Sequence, residues 1–349
     1  MKIDRFEIND TSPCFIIAEL SANHNGDIEI AKETIKAAKK AGADAIKLQT
    51  YTPDTLTIES NKEYFRIAQG TLWDGKTHYE HNGEAFTPRE WHKELFELAS
   101  SEGLVCFSSP FDKSAVDFLE ELQTPAHKIA SFEIQDIPLI EYAASKGKPM
   151  IISTGIAEEQ DIQLALDTCL GVGNDQVVLL KCTSSYPAPL ELANLNTIPD
   201  LKKRFGVQVG FSDHTYGSLA PTIAVTLGAK VIEKHFILDK SIGGPDADFS
   251  LDCKDFEEMV SKVRDTEKLL GKVSYEVSEK VKKNRKFARS LFVVEDVKKG
   301  DTLTEGNIRS IRPGYGMHPK ELKKVLGKQF SKDIEKGEPL SWDMLQETN

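Results

Sequence analysis

Eight short apolar runs, separated almost throughout by stretches of helical periodicity, constrain this chain more than any other feature. They are CFIIAEL (14–20), AIKLQTY (45–51), VCFSSPF (105–111), AHKIAS (126–131), PMIISTG (149–155), VVLLKCTSS (177–185), VQVGFSDH (207–214) and VIEKHFIL (231–238). Near-continuous apolar runs mark strands buried on both faces, and helices between them mark a parallel sheet, so the class is α/β. The first unit shows the pattern: Asn25-Gly26-Asp27 turns the chain into a helix whose Ile28, Ala31, Ile35 and Ala38 recur at helical spacing before Gly42 closes it. Eight such units favour a closed (β/α)8 TIM barrel over an open doubly wound sheet, and no G-x-G-x-x-G follows the first strand.

A barrel of this kind gathers its chemistry at the C-terminal ends of its strands. Glu19, Lys47, Ser109, Lys128, Ser153, Ser212, His214, Glu233 and His235 occupy those ends here. At strand period, Glu233, His235 and Ile237 fall on one face and Ile232, Lys234 and Phe236 on the other, so a carboxylate and an imidazole share a face. Taken singly, a strand-end serine is a turn residue and a lone histidine a structural hydrogen-bonder. The set is harder to dismiss, because Lys47 and Lys128 lie inside strands, where an unpaired ammonium is costly to bury. One β/α repeat brings His214 and His235 to one mouth, as two ligands of an incompletely filled metal site that leaves room for water and a substrate oxygen. Two other readings fit parts of the set: an aldolase using Lys128 or Lys181 as a Schiff base, and a glycan-binding protein without catalysis.

The segment from 52 to 87 breaks the rhythm; its GTLWDGKTHYEHNGEAFTP is too rich in aromatics, glycines and charge for a plain connector and suits a lid or specificity loop. A balance of 44 Lys and Arg against 55 Asp and Glu, net −11, argues against a general affinity for nucleic acid or an anionic membrane. The five scattered cysteines lack CxxC spacing and suit reduced thiols; with no apolar run of membrane length and no leader, a cytoplasmic location is expected. Beyond a last barrel helix at about 253–270, GKVSYEVSEKVKKNRK reads as a linker. KGDTLTEGNI (299–308) and KGEPLSWDML (336–345) then form a short pseudo-repeat, the mark of a small module of short strands and turns.

These motifs carry a resemblance. AEL.ANHNG (18–26), AIKLQTY, FSSPFD, HKIASFE, IISTG, CTSSYPAP, GFSDHT and EKHF.LDK...GPDADFS resemble the sialic acid synthase family, and the C-terminal region, with IRPGYG (311–316), resembles that family's antifreeze-like (SAF) domain. The resemblance runs over nearly the whole chain. It implies a TIM barrel over 1–270, a linker over 271–284 and a mostly β SAF domain over 285–349. It also implies condensation of phosphoenolpyruvate with an amino sugar. GTLWDGKT, GEAFTP and FSSPFD are similar to the branch that makes pseudaminic acid from 2,4-diacetamido-2,4,6-trideoxy-L-altrose, with N-acetylneuraminate or legionaminic acid synthesis as alternatives; His78, His81 and Asn82 depart from that branch's text.

By the same resemblance Glu19 is the catalytic base. His214 and His235 hold a divalent metal, most simply manganese, with magnesium or cobalt as alternatives. Lys47, Ser109, Lys128, Ser131, Ser153 and Ser212 bind phosphoenolpyruvate. Glu133, Tyr186, Glu233, Asp246 and Arg312 bind the sugar, Arg312 reaching into the barrel of a second subunit of a domain-swapped homodimer.

Overall fold

The computed structural model describes residues 1–68 and 74–346. It divides into two compact units, Met1–Gly271 and the residues from Lys272 onward.

In the first unit, β1 (Phe15–Glu19), β2 (Ala45–Thr50), β3 (Val105–Pro110), β4 (His127–Ile129), β5 (Met150–Ser153), β6 (Val177–Cys182), β7 (Gln208–Asp213) and β8 (Val231–His235) close into a barrel in chain order. Every pairing is parallel, and β8 returns to β1 with His235 opposite Glu19. The helices that follow the strands in turn are α1 (Ile28–Lys40), α2 (Arg89–Ser101), α3 (Lys113–Glu121), α4 (Ile137–Ala144), α5 (Glu159–Gly171), α6 (Thr197–Phe205), α7 (Leu219–Thr226) and α8 (Cys253–Leu270). This is the (β/α)8 architecture the eight runs predict.

Strand alternation separates two cores. Ile16, Ala18, Ile46, Leu48, Ile152, Leu179 and Ile232 point outward and pack beneath the helices. Phe15, Ile17, Ala45, Val105, Phe107, Ile151, Val178, Leu180 and Val231 point inward and fill the lower barrel. Gly210 has no alternative here: a Cβ would come within 2.4 Å of the Val231 carbonyl oxygen and 2.6 Å of Leu180 Cδ2. A hairpin of Lys2–Ile3 and Phe6–Glu7, too short to show alternation in the sequence, lays Ile3 and Ile8 against this lower layer.

The strands stop earlier than the apolar runs suggest. Ser131 lies beyond β4, in a 3-10 turn over Ser131–Glu133, and β6 ends at Cys182 rather than at Ser185. The segment after β2 is organised. It contains a short helix at Pro53–Leu56 and an eight-residue helix at His78–Ala85. The second helix opens on a capping box in which the Glu80 N–H donates to Thr77 Oγ1 at 3.2 Å and the Thr77 N–H to Glu80 Oε2 at 2.8 Å. Trp73, the tryptophan of the segment read as a lid or specificity loop, lies outside the described residues.

In the second unit β9 (Ser290–Val293) pairs antiparallel with β10 (Ile308–Ile311) over a core that includes Leu291, Val293, Leu303, Phe330 and Leu340. The pseudo-repeat has a physical basis: Gly300 (φ 92°) and Gly337 (φ 99°) make equivalent left-handed turns, each followed three residues later by a buried leucine. The first residues of the second unit carry an exposed short helix, Glu279–Lys282. Among the described residues no helix is long and apolar enough to cross a membrane.

Candidate active site

Above the apolar filling, the inward positions turn polar. Glu19, Lys47, Ser109, Lys128, Ser153, Ser212, His214, Glu233 and His235 are all buried, and the barrel brings them to one end. Lys47 forms an ion pair with Glu19 and lies 3.4 Å from Ser109 Oγ. Lys128 donates to Ser153 Oγ at 2.7 Å. Glu233 stands between the two cations, 3.8 Å from Lys47 Nζ and 3.6 Å from Lys128 Nζ, and accepts from Ser212 Oγ at 3.1 Å. Buried charges persist only when paired in this way.

The environments split the carboxyl groups. Burial pushes Glu19 up to about 7 against the pull of Lys47. Burial also raises Glu133 to about 7, and its Oε2 has no hydrogen-bond partner among the described residues. Glu233 goes the other way: burial opposes its charge, but Lys128 and Lys47 outweigh burial and hold it below the usual carboxylate range. Lys128 is held below the usual lysine range, chiefly by burial.

The two imidazoles lie with ring centroids 5.3 Å apart. His214 Nδ1 donates to the Thr183 carbonyl at 3.1 Å, which puts the lone pair of the neutral ring at Nε2; burial opposes its charge, but Cys182 and that carbonyl outweigh burial and raise the ring above its ordinary value. His235 Nδ1 has no hydrogen-bond partner among the described residues, and burial holds the ring well below its ordinary value and so neutral. Two imidazole nitrogens brought together in this way suit a divalent cation whose other positions go to water and substrate. No group of three or more His, Cys, Asp or Glu side chains among the described residues offers a fuller shell. Lys234 lies on the opposite face, as strand period requires, and is ion-paired to Asp213 at 2.6 Å, so one buried pair ties together the two strand ends that carry the imidazoles.

Loops complete the mouth. Asp246, from the β8–α8 loop, accepts from Ser21 Oγ at 2.5 Å and from the Ala22 N–H at 3.4 Å, and its Oδ2 lies 3.9 Å from His235 Nδ1. Tyr186 lies against His214, with centroids 4.3 Å apart, and Phe249 meets His235 edge-on at 4.9 Å. Ser131 Oγ accepts from the Gly155 N–H at 3.1 Å. Arg312 sits in the second unit, exposed, directly after β10.

Two residues at the centre have no counterpart in the sequence reading. Gln49 Nε2 donates to Glu19 Oε1 at 3.3 Å and to Ser21 Oγ at 3.1 Å. Its position two residues after Lys47 on the same strand was the available signal. Cys182, read from the sequence only as one of five reduced thiols, ends β6 inside the barrel with Sγ 3.8 Å from His214 Nδ1.

Comparison with known proteins gives concordant matches. The model of the NeuB family matches residues 34–275, and that of the SAF domain matches residues 288–346. The chain is 52% identical over 340 residues to the pseudaminic acid synthase of Campylobacter jejuni, covering 97% of this chain and 98% of that one. It is 39% identical over 338 residues to the N,N'-diacetyllegionaminic acid synthase of Legionella pneumophila, covering 95% of each. Among solved structures, the spore coat polysaccharide biosynthesis protein SpsE of Bacillus subtilis aligns with a TM-score of 0.68 at 33% identity, over 100% of this chain and 99% of that one.

Proposed function

The chain belongs to the NeuB family, and from that premise we propose that it is a pseudaminic acid synthase. It condenses phosphoenolpyruvate with 2,4-diacetamido-2,4,6-trideoxy-L-altrose and releases phosphate by C–O cleavage. The observation that carries this reading is the pair of buried cations, Lys47 and Lys128, balanced on Glu233 at 3.8 and 3.6 Å beside two imidazoles. A small molecule with both a phosphate and a carboxylate suits two ammonium groups so placed, and Ser109 and Ser153 already touch them. Ser131 and Ser212 stand beside these as further hydroxyl groups for the same anion.

In this mechanism the lysines bind and orient phosphoenolpyruvate with its C3 toward the mouth. His214 and His235 hold a divalent cation, manganese in preference to magnesium or cobalt, which supplies Lewis acidity toward the aldehyde oxygen of the open-chain sugar. C3 attacks the aldehyde carbon, and positive charge develops at C2, which the carboxylate of Glu233, set between the two lysines that hold phosphoenolpyruvate, would stabilise. Water adds to C2 and gives its proton to Glu19, whose value of about 7 suits a base at neutral pH. Glu19 passes that proton to the alkoxide left on the former aldehyde carbon, and breaking the C2–O bond then expels phosphate, which takes up the proton of the new C2 hydroxyl as that oxygen becomes the ketone of the 2-keto acid. Asp246, Glu133 and Tyr186 border the volume the sugar occupies and bind it.

Legionaminic acid synthesis is the second reading, favoured by the 39% identical relative. A Schiff-base aldolase is disfavoured by the polar surroundings of Lys128, which bonds to Ser153 and lies near Glu233. Incubation with phosphoenolpyruvate, manganese and separate sugars decides: the altrose derivative is expected to give the nine-carbon acid by mass. Phosphoenolpyruvate labelled with ¹⁸O at the bridging position is expected to deliver the label to phosphate. Preference for N-acetylmannosamine or the legionaminic precursor overturns the substrate, and label retained in the acid overturns C–O cleavage.

A further inference from the structure

Beside the site, a cavity of about 730 Å³ opens between the loop after β1, the His78–Ala85 helix and the β8–α8 loop, lined among others by Asn25, Lys76, His81, Gly83, Pro245 and Asp248. We propose that this cavity is the subsite for a second acetamido group on the sugar, and that His81 reads that group. The inference rests on the amino-sugar reading above and deepens it.

The helix carrying His81 is held in place at its first turn: its start is fixed by the Thr77–Glu80 capping box, and Tyr79 donates to Asp54 Oδ1 at 3.1 Å on the neighbouring short helix. Of the three loop residues that depart from the branch's text, His78 is exposed and Asn82 does not line the cavity, while His81 does and is half-buried. Its ring lies within electrostatic reach of Asp246, the carboxylate that also borders His235. Burial lowers its affinity for protons, so at neutral pH the ring is neutral, and a neutral imidazole hydrogen-bonds as a donor at one nitrogen or as an acceptor at the other. A secondary amide presents the matching acceptor and donor.

The remaining walls suit the same group. Lys76, ion-paired with Glu84, and the side chains of Asn25 and Asp248 supply further polar atoms, while Pro245 offers an apolar face to a methyl. Gly26 (φ 73°) and Gly244 (φ 112°) keep the wall low at positions where an added side chain would be strained. A hydroxyl alone would leave most of this volume to water. Position selects which substituent enters: the reacting aldehyde belongs beside the imidazoles, so a group on the next carbon stays by Asp246 and Tyr186. The cavity begins beyond Asp246 and suits the acetamido group farther along the chain.

The test compares kcat/KM for the 2,4-diacetamido sugar and for the matched analogue with a hydroxyl at C4, in wild type, His81→Leu, His81→Gln and Gly83→Phe. Wild type is expected to prefer the diacetamido sugar by about a hundredfold or more. His81→Leu should cut that preference at least about tenfold, mainly through KM, and His81→Gln, which keeps a donor and an acceptor, should recover part of it. Gly83→Phe tests the cavity without touching His81, at a helical position where a Cβ meets nothing closer than Pro53 Cγ at 3.7 Å. It should likewise erode the preference. A preference left unchanged by both changes, or equal losses on the two sugars, overturns the proposal alone. Failure of wild type to condense either sugar overturns the functional reading, and this subsite with it.

Discussion

His235 is a neutral imidazole between a carboxylate 3.9 Å away and a second imidazole, so its chemistry depends on what shares its lone pair. Chelation is expected to abolish turnover and manganese to restore it, while His235→Ala should require far more metal for any rescue; full activity in excess chelator sinks the metal role. Lys128 makes a separate prediction. Losing one buried cation leaves Glu233 with only Lys47, so Lys128→Met should weaken phosphoenolpyruvate binding by roughly 2–5 kcal/mol and move the sugar KM much less. Equal effects on both substrates would mark Lys128 as structural. At this scale the sequence revealed much, because strand period put Glu233 and His235 on one face and the cost of burying an unpaired ammonium singled out Lys47 and Lys128 inside their strands. Gln49 and Cys182 escaped because neither carries charge, and their importance arises from neighbours far off in the chain.

Elements meet through buried histidines that the chemistry does not use. His24 accepts the Gly26 N–H at Nδ1 (3.0 Å) and donates from Nε2 to Thr87 at 3.2 Å, pinning the loop after β1 to the end of the long segment. His92 on α2 donates to the Pro88 carbonyl at 3.0 Å and accepts from Thr50, at the end of β2, at 2.8 Å. Burial lowers both to about 4. An unfolded chain takes up these protons near pH 6.5 and the folded one only near 4, so the stability they contribute is intact above 6.5 and is lost as pH falls toward 4. The loss approaches about 3 kcal/mol for each group. Melting temperature should fall over that window, and His92→Gln should flatten the slope; a melting temperature that is constant from pH 7 to 4 contradicts this. Repeating apolar runs made the strands readable, whereas their ends were overestimated where Ser131 and Ser184 continue the composition without the pairing. The N-terminal hairpin and the His78–Ala85 helix stayed hidden: the first has two-residue strands, and the second has Ala85 as its one buried residue.

For the whole molecule, Arg312 raises the question of which polypeptide completes the site. We propose that it acts across a homodimer, its planar fork binding oxygens of the sugar in the partner's barrel. Co-expression of Arg312→Ala with His235→Ala, each nearly inactive alone, should then restore about a quarter of wild-type activity, because half of randomly paired dimers are mixed and each mixed dimer has one intact site. No recovery, with mixed dimers shown to form, places Arg312 in its own subunit's chemistry or outside it. The hairpin that sets Ile3 and Ile8 against the lower barrel layer has a kinetic consequence. With the floor closed, the interior works as a blind well, and traffic runs through a single opening. The anion seated between strand-borne Lys47 and Lys128 has to enter before a sugar settles over it on the loops. Steady-state kinetics should therefore be ordered, with an unreactive sugar analogue uncompetitive against phosphoenolpyruvate; noncompetitive inhibition would mean that the two substrates reach the well independently.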